Sequence, residues 1–477
     1  MNPVGQNAWV LASRIAPQLG GIVLLVLGAR FLDPATLGSI VMIFAWTELL
    51  RRLVRAGWRE AVVMDAAGEA TPAVTTLACA SAVAALALVV LSALALRHAA
   101  LDPAYVHCLL LLGASLLPVA PSVIWEGLLL RTRRTDLEAA TVIAAEAAHL
   151  ALAALLLAAG LGIAGLALAR LVRALVAFAG LGWATGWPLP LSPDWRRAAA
   201  VLPVSMHVTL ASLINFATTY GVDLVIGVWL GPASVAFFRV GSRIAGGVAD
   251  VLNETVRVLG WSSLPARRPA DTPADLARRI DGFLGRTLEL TAPVYVGLAL
   301  VAAPLVALLM GPGWETAAGV VALMALARML QIPAAVAWPA LAAVGRTAAL
   351  PRLAFLLAGI ALTAMLVLGP FGLRAILWGQ LAAALVGGAA TVALVNREAF
   401  PEGARLSFPP DLAAGLALLA AAVTATGAAT AALPPAAALA LQTAAGGAAY
   451  AAFLRWRRPE LAAEILAGLR PAREARR

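Results

Sequence analysis

The sequence contains no lysine: all 35 of its lysine-or-arginine positions are arginine. Alanine richness points to a coding bias, so this absence excludes no function by itself. Arginine is still the better of the two for gripping phosphate, because its planar fork donates bidentately. Cysteine is almost as scarce. Cys79 and Cys108 each sit in an apolar run, which excludes a disulfide framework and leaves two small buried hydrophobes. Charge is thin as well: 13% of residues are charged against 62% hydrophobic, with a mean hydropathy of +0.90. A soluble chain of 477 residues would need a far larger polar surface. Strand-type alternation is missing, which argues against a membrane β-barrel. No nucleophile–base set, phosphate loop or metal-ligand spacing occurs, so neither an enzyme nor a bound cofactor or metal is expected.

What is present is long apolar runs. A membrane-spanning helix needs about 20 such residues. Fourteen candidate spans follow, at roughly 8–31, 36–57, 72–96, 104–130, 137–160, 162–184, 199–230, 233–260, 282–311, 317–345, 349–369, 371–395, 411–432 and 435–455. The fold class expected is an all-α polytopic membrane protein. The first apolar run carries Arg14 and follows no basic segment, so it reads as a retained helix rather than a cleaved signal. With a cytoplasmic N-terminus, the inner connections and tail collect most of the arginines, Arg131, Arg133, Arg134, Arg267, Arg268 and Arg470 among them. The outer ends keep only Arg30, Arg97 and Arg374. This is the positive-inside asymmetry, and it places both termini on the cytoplasmic side. The net charge of +10 is no sign of a nucleic-acid partner, because the arginines are dispersed through apolar segments.

One turn occurs twice. "LVLGARFLDPATL" at 25–37 aligns with "DLVIGVWLGPASV" at 223–235, matching Leu32, Pro34 and Ala35 to Leu230, Pro232 and Ala233. A second echo pairs "GLGIAGLAL" at 160–168 with "GPFGLRAIL" at 369–377, at the start of spans six and twelve. The spacing in each case is six helices. Two six-helix units in the same orientation imply a parallel repeat about an axis along the membrane normal, with a cavity between the halves. The domain limits expected are an N-terminal lobe at 1–190, a C-terminal lobe at 191–397, and two further helices with a basic tail at 398–477.

Ionisable residues inside a span are costly and usually face a cavity or a partner. Span eight holds Arg239, Arg243, Asp250, Glu254 and Arg257, which fall within about 60° of one another on a helix. Span two repeats the device with Glu48, Arg52, Arg55 and Arg59 on one stripe and Arg51 beside it. Arg55, Arg59 and Arg257 lie near the inner boundary, where snorkelling to lipid headgroups accounts for them. Arg243 is too deep for that and is read as a cavity residue. Arg14 fits either role. Asp223 is read as an ion-pair partner of Arg239 or Arg243, or else as a group for cation or proton coupling. Glu146 and His149, three residues apart in span five, share a face and read as a buried hydrogen-bonded pair rather than a proton relay.

These stretches resemble a known family. "NAWVLASRIAPQLGGIVLLVLGARFLDPATLG", "RAGWREAVV", "YGVDLVIGVWLGPASVAFFRVGSRIAG" and "MGPGWETAAGVVALMALAR" are similar to polysaccharide transporters of the oligosaccharide-flippase type, in the MOP superfamily. The matched positions include Asp223, Gly231, Pro232 and Arg243. Ala236 departs from the family's usual glycine, and Arg239 has no clear family counterpart. The resemblance implies two six-helix lobes that alternate between inward- and outward-facing states. It implies an undecaprenyl-pyrophosphate-linked oligosaccharide as cargo, carried across the bacterial inner membrane. Lipid II transport and drug/cation antiport are the alternatives, the latter favouring an acidic cavity. Arg14, Arg52, Arg55, Arg239 and Arg243 become the candidate pyrophosphate and glycan ligands. Asp223, Asp250, Glu254 and Glu48 become candidate coupling or gating groups, driven by protons, Na+ or the membrane potential. Implied partners are membrane lipids and a polysaccharide polymerase with its chain-length machinery.

Overall fold

The computed structural model describes residues 3–65, 67–99, 102–264, 272–346, 349–400 and 405–468. Among these every regular element is a helix. The chain divides into two compact units, Met1–Ala236 and Phe237–Arg477. The first contains α1 (Pro3–Phe31), α2 (Pro34–Arg55), α3 (Trp58–Met64), α4 (Thr71–His98), α5 (Pro103–Ala114), α6 (Val119–Arg131), α7 (Thr135–Ala158), α8 (Gly162–Thr185), α9 (Trp195–Thr219) and α10 (Gly221–Leu230). The division falls inside α11 (Pro232–Ser263). The second unit continues with α12 (Pro273–Leu300), α13 (Ala302–Met310), α14 (Glu315–Leu330), α15 (Ile332–Ala343), α16 (Ala349–Leu368), α17 (Leu373–Ala399), α18 (Leu412–Ala429), α19 (Pro435–Arg457) and α20 (Pro459–Gly468).

Ten helices or joined helix pairs are long and apolar enough to cross a membrane, or eleven if the 64° bend between α12 and α13 lies within one span. The count of fourteen is therefore not reached by length and composition. The other three expected spans fall on helices that charge or shortness sets apart. Only Ile15–Phe31 of α1 forms an apolar stretch, while α2 and α11 are interrupted by the ionisable residues described above. Four expected spans are each broken in two. Pro118 caps α6 after the α5 break, and Pro333 enters α15 just after the break at Gln331. Tyr220 separates α9 from α10, and Val301 separates α12 from α13. Proline cannot donate to the preceding turn, so helices break or kink around it. The expected inner arginines Arg267, Arg268 and Arg470 lie outside the described residues.

The repeated turn has a shared construction. Asp33 caps α2, accepting from the Thr36 amide at 3.0 Å, and Pro34 occupies the first helical position. That position suits proline, whose missing amide costs nothing there. The hydrogen bonds from Thr36 hold the Asp33 carboxyl below its usual range, so the cap stays charged. The second copy uses Gly231, at φ 77°, to end α10, and Pro232 again opens the next helix. The two turns meet: a Cβ on Gly38 would collide with the Pro232 carbonyl, so only glycine admits this approach.

Around α2 the core is apolar. Leu50, Val54, Trp58, Val74, Val89 and Ile124 pack together from α2, α3, α4 and α6. This fixes one side of α2 and leaves its charged side facing α8 and α9. In the second unit, α18 and α19 pack on each other and on α12. The Tyr450 hydroxyl donates to the Glu289 carbonyl at 2.7 Å across that contact.

Candidate functional site

The charged stripe of α2 is the centre of a network in the first unit. Glu48 is buried, with 7% of its side chain exposed. It accepts from Arg51 Nε at 2.8 Å and from Arg51 Nη2 at 2.6 Å, one helical turn away. The same oxygen accepts from Arg170 Nη2 of α8 at 3.0 Å. Its other oxygen lies 3.5 Å from Arg52 Nε. Arg52 then crosses to α9, where Nη1 donates to the Ser212 carbonyl at 3.1 Å and its hydroxyl at 3.2 Å. Ring faces complete the lining: Arg170 sits 4.8 Å above Phe44, and Arg52 lies 5.9 Å from the Phe216 ring. A carboxylate in low dielectric among three guanidiniums is well compensated, and each guanidinium keeps donors to spare.

Arg55 does not simply snorkel. Its Nη2 donates to Glu126 Oε2 of α6 at 2.6 Å, and Nη1 to Oε1 at 3.3 Å, a two-pronged pair. Arg59 pairs with its neighbour Glu60 at 2.8 Å.

A second cluster lies on α7 and α8. Arg173 Nε is 2.8 Å from Glu146 Oε2. His149 Nδ1 is 3.7 Å from Glu146 Oε1, beyond hydrogen-bond reach. Glu146 and His149 do share a buried face, but the carboxylate's partner is Arg173. Gly20 of α1 sits directly against Glu146, leaving no room for a Cβ there.

Both clusters open on a cavity of about 310 Å³. Five arginines line it: Arg51, Arg55, Arg59, Arg170 and Arg173. The carboxylates on its wall are Glu126 and Glu138. A neighbouring cavity of about 350 Å³ shares Arg51, Arg55 and Arg59 and adds Arg52 and Ser212. Arginine excess in a confined site favours an anion.

Of the residues expected from sequence, Glu48, Arg52 and Arg55 are thus brought together. Arg14 lies on α1, with its side chain outside the described residues. Asp223 is fully buried on α10. Arg239 and Arg243 are half-buried on α11. Asp250 and Glu254 are exposed there, and Glu254 pairs with Arg257, whose Nε donates to it at 2.9 Å. Sequence reasoning missed Arg170 and Arg173. Their signal was present: two cations three residues apart inside an apolar span, the same sign that flagged Glu146 and His149.

The second unit contains a cavity of another kind, about 500 Å³ and apolar, bounded by Leu288, Leu330, Val392 and Leu416 on α12, α14, α17 and α18. Among the described residues no group of three or more His, Cys, Asp or Glu converges as a metal site would require.

The architecture is similar to that of a lipid II flippase, MurJ, in its inward closed conformation. The TM-score is 0.73 at 14% identity, covering 95% of this chain and 99% of that one. It is also similar to an inward-facing multidrug resistance MATE family transporter of the MOP superfamily (TM-score 0.56, 14% identity, 80% of this chain and 93% of that one). A MOP superfamily transporter from Pyrococcus furiosus, described as having a binding pocket of reverse polarity, gives 0.52 at 12% identity, over 83% of this chain and 94% of that one. The chain shares the fold of these three proteins, and its many apolar helices make it a multi-pass membrane protein. A family model described as polysaccharide biosynthesis protein matches residues 26–319, and the chain belongs to that family. No curated protein matches it by sequence.

Proposed function

We propose that the protein is a flippase for a lipid-linked oligosaccharide joined to its polyprenyl carrier through a pyrophosphate, working by alternating access. One observation carries this reading: five arginines converge on a single cavity in the first unit. A diphosphate bearing two substituents keeps two negative charges, and such a group cannot enter hydrocarbon uncompensated. Arginine forks bind phosphate oxygens in pairs, and do so more strongly away from bulk water. The apolar cavity of the second unit suits a polyprenyl chain. A drug/cation antiporter would need the opposite sign of charge at its site.

Within this reading Arg52, Arg55, Arg51, Arg170 and Arg173 hold the head group, and Arg14, Arg239 and Arg243 are separate candidate ligands for the cargo. Glu48, Asp223, Asp250 and Glu254 act in coupling or gating. The repeat lobes are 1–190 and 191–397, with 398–477 appended. The protein sits in a bacterial inner membrane with both termini cytoplasmic, and hands its cargo to a polymerase and its chain-length machinery.

The test is transport in reconstituted vesicles, with an undecaprenyl-pyrophosphate-linked repeat unit in one arm and lipid II in the other. Translocation of the repeat unit, lost in Arg55→Ala and Arg170→Ala proteins that still insert, supports the reading. Transport of lipid II alone would move the assignment to peptidoglycan, and transport of neither would overturn it.

A further inference from the structure

Arg173 stands between a cavity and a buried carboxylate. On one side is the cavity that it helps to line. On the other is Glu146, whose side chain is only 7% exposed and which is absent from the cavity wall. Arg173 itself is 27% exposed. Turning its guanidinium toward a phosphate in the cavity would strip Glu146 of its nearest cation. A buried carboxylate left without a partner is strongly disfavoured.

His149 is placed to prevent that. It is 6% exposed, and its Nδ1 is 3.7 Å from Glu146 Oε1, whereas the short Arg173 contact is to Oε2. Neither ring nitrogen has a hydrogen-bond partner among the described residues. A buried histidine with both nitrogens unsatisfied is unusual. Packing alone would be served by an apolar residue.

The charged surroundings are these. Glu146 lies on α7 beside His149, and Arg170 and Arg173 come from α8. Glu48 and Arg51 of α2 lie beyond Arg170. Glu126 of α6 and Glu138 of α7 are on the cavity wall. The remaining helix packed on α7 is α1, which presents Gly20 to Glu146 and whose only charged residues are Arg14 and Arg30.

We propose that Glu146, His149 and Arg173 form a partner-exchange switch that couples diphosphate binding to uptake of one proton. In the empty site Arg173 pairs with Glu146 and His149 is neutral. When the diphosphate draws Arg173 into the cavity, His149 takes a proton from water, and its Nδ1–H pairs with Glu146 Oε1. No bond other than N–H is made, and the proton is returned when the diphosphate leaves. The proton is then the coupling ion of this site, and Arg173 the ligand it releases. This rests on the diphosphate reading given above.

The experiment uses the full-length protein in lipid nanodiscs and a short-chain polyprenyl diphospho-N-acetylglucosamine, a probe whose diphosphate has no group titrating near neutral pH. Calorimetry in buffers of different ionisation heat counts the protons taken up per probe bound. The expected result is about one proton, with affinity falling about tenfold per pH unit above the titration of the free site. His149→Gln should bind the probe more weakly and without proton uptake. Glu146→Gln, which leaves no charge to rebalance, should bind with no pH dependence, and it keeps the test independent of how well the histidine variant folds. Binding to the native protein without proton uptake, or uptake undiminished in both variants, overturns the switch and leaves the diphosphate reading standing. Failure of the native protein to bind the probe overturns both.

Discussion

Arg170 reaches from α8 to within 3.0 Å of Glu48 on α2, and through that contact a charged stripe on one helix becomes a network between two. Glu48 faces Arg51, Arg52 and Arg170 at once. Removing its charge leaves three guanidiniums partly buried with no shared counter-ion. Glu48→Gln is expected to cost about 3–5 kcal/mol, read as a lowered unfolding midpoint in detergent or nanodiscs. An unchanged midpoint would show that the arginines are neutralised by something else.

Arg55 and Glu126 provide a cleaner pair, because they join only α2 to α6. A double-mutant cycle with Arg55→Met and Glu126→Met should give a coupling energy of about 1–3 kcal/mol. A value near zero would mean that the pair is solvated and that Arg55 is held elsewhere.

The contact between Gly20 and Glu146 predicts a steric effect with an electrostatic readout. Gly20→Ala places a methyl group where the carboxyl now lies, at an overpacking cost of about 1–3 kcal/mol. Shortening the partner in the double variant Gly20→Ala/Glu146→Asp should recover part of that loss. If Glu146→Asp adds its own destabilisation in full, the two residues are not in contact.

Arg243 is half-buried on α11, and Arg243→Ala is expected to abolish surface polysaccharide while the protein inserts at its normal level. Normal polysaccharide would remove Arg243 from the site. Glu254 offers the contrast. It is exposed and paired within one turn to an exposed arginine, and such pairs add little to stability. Glu254→Ala should leave the unfolding midpoint unchanged, so that any fall in export would be a gating effect.

Much of this was legible in the sequence where the signal is local. Apolar runs mark the helices, and the Pro34 and Pro232 turns mark two of the breaks between them. The stripe of Glu48, Arg52 and Arg55 could be read because its members lie on one helix. What joins that stripe to Arg170 could not be read, since helix period says which face a residue occupies and not which helix it meets. Arg55 shows the same limit: its depth suggested lipid headgroups, whereas its partner is Glu126, 71 positions away. The breaks at Tyr220 and Val301 fall inside runs that stay apolar on both sides, and no proline or glycine occupies either position to announce them. At Glu146 the sequence pattern shows the neighbour on the same helix, His149, and gives no sign of the nearer partner, Arg173, which comes from the next helix.

The bond between Glu48 and Arg170 spans 122 residues of chain. A ribosome adds about 5–20 residues per second, so α8 follows α2 by roughly 6–24 s. Until then Glu48 has only Arg51 and Arg52 of its own helix as counter-ions, while Arg55 already has Glu126 of α6. The inter-helix part of the α2 network is therefore completed only late in the synthesis of the first unit.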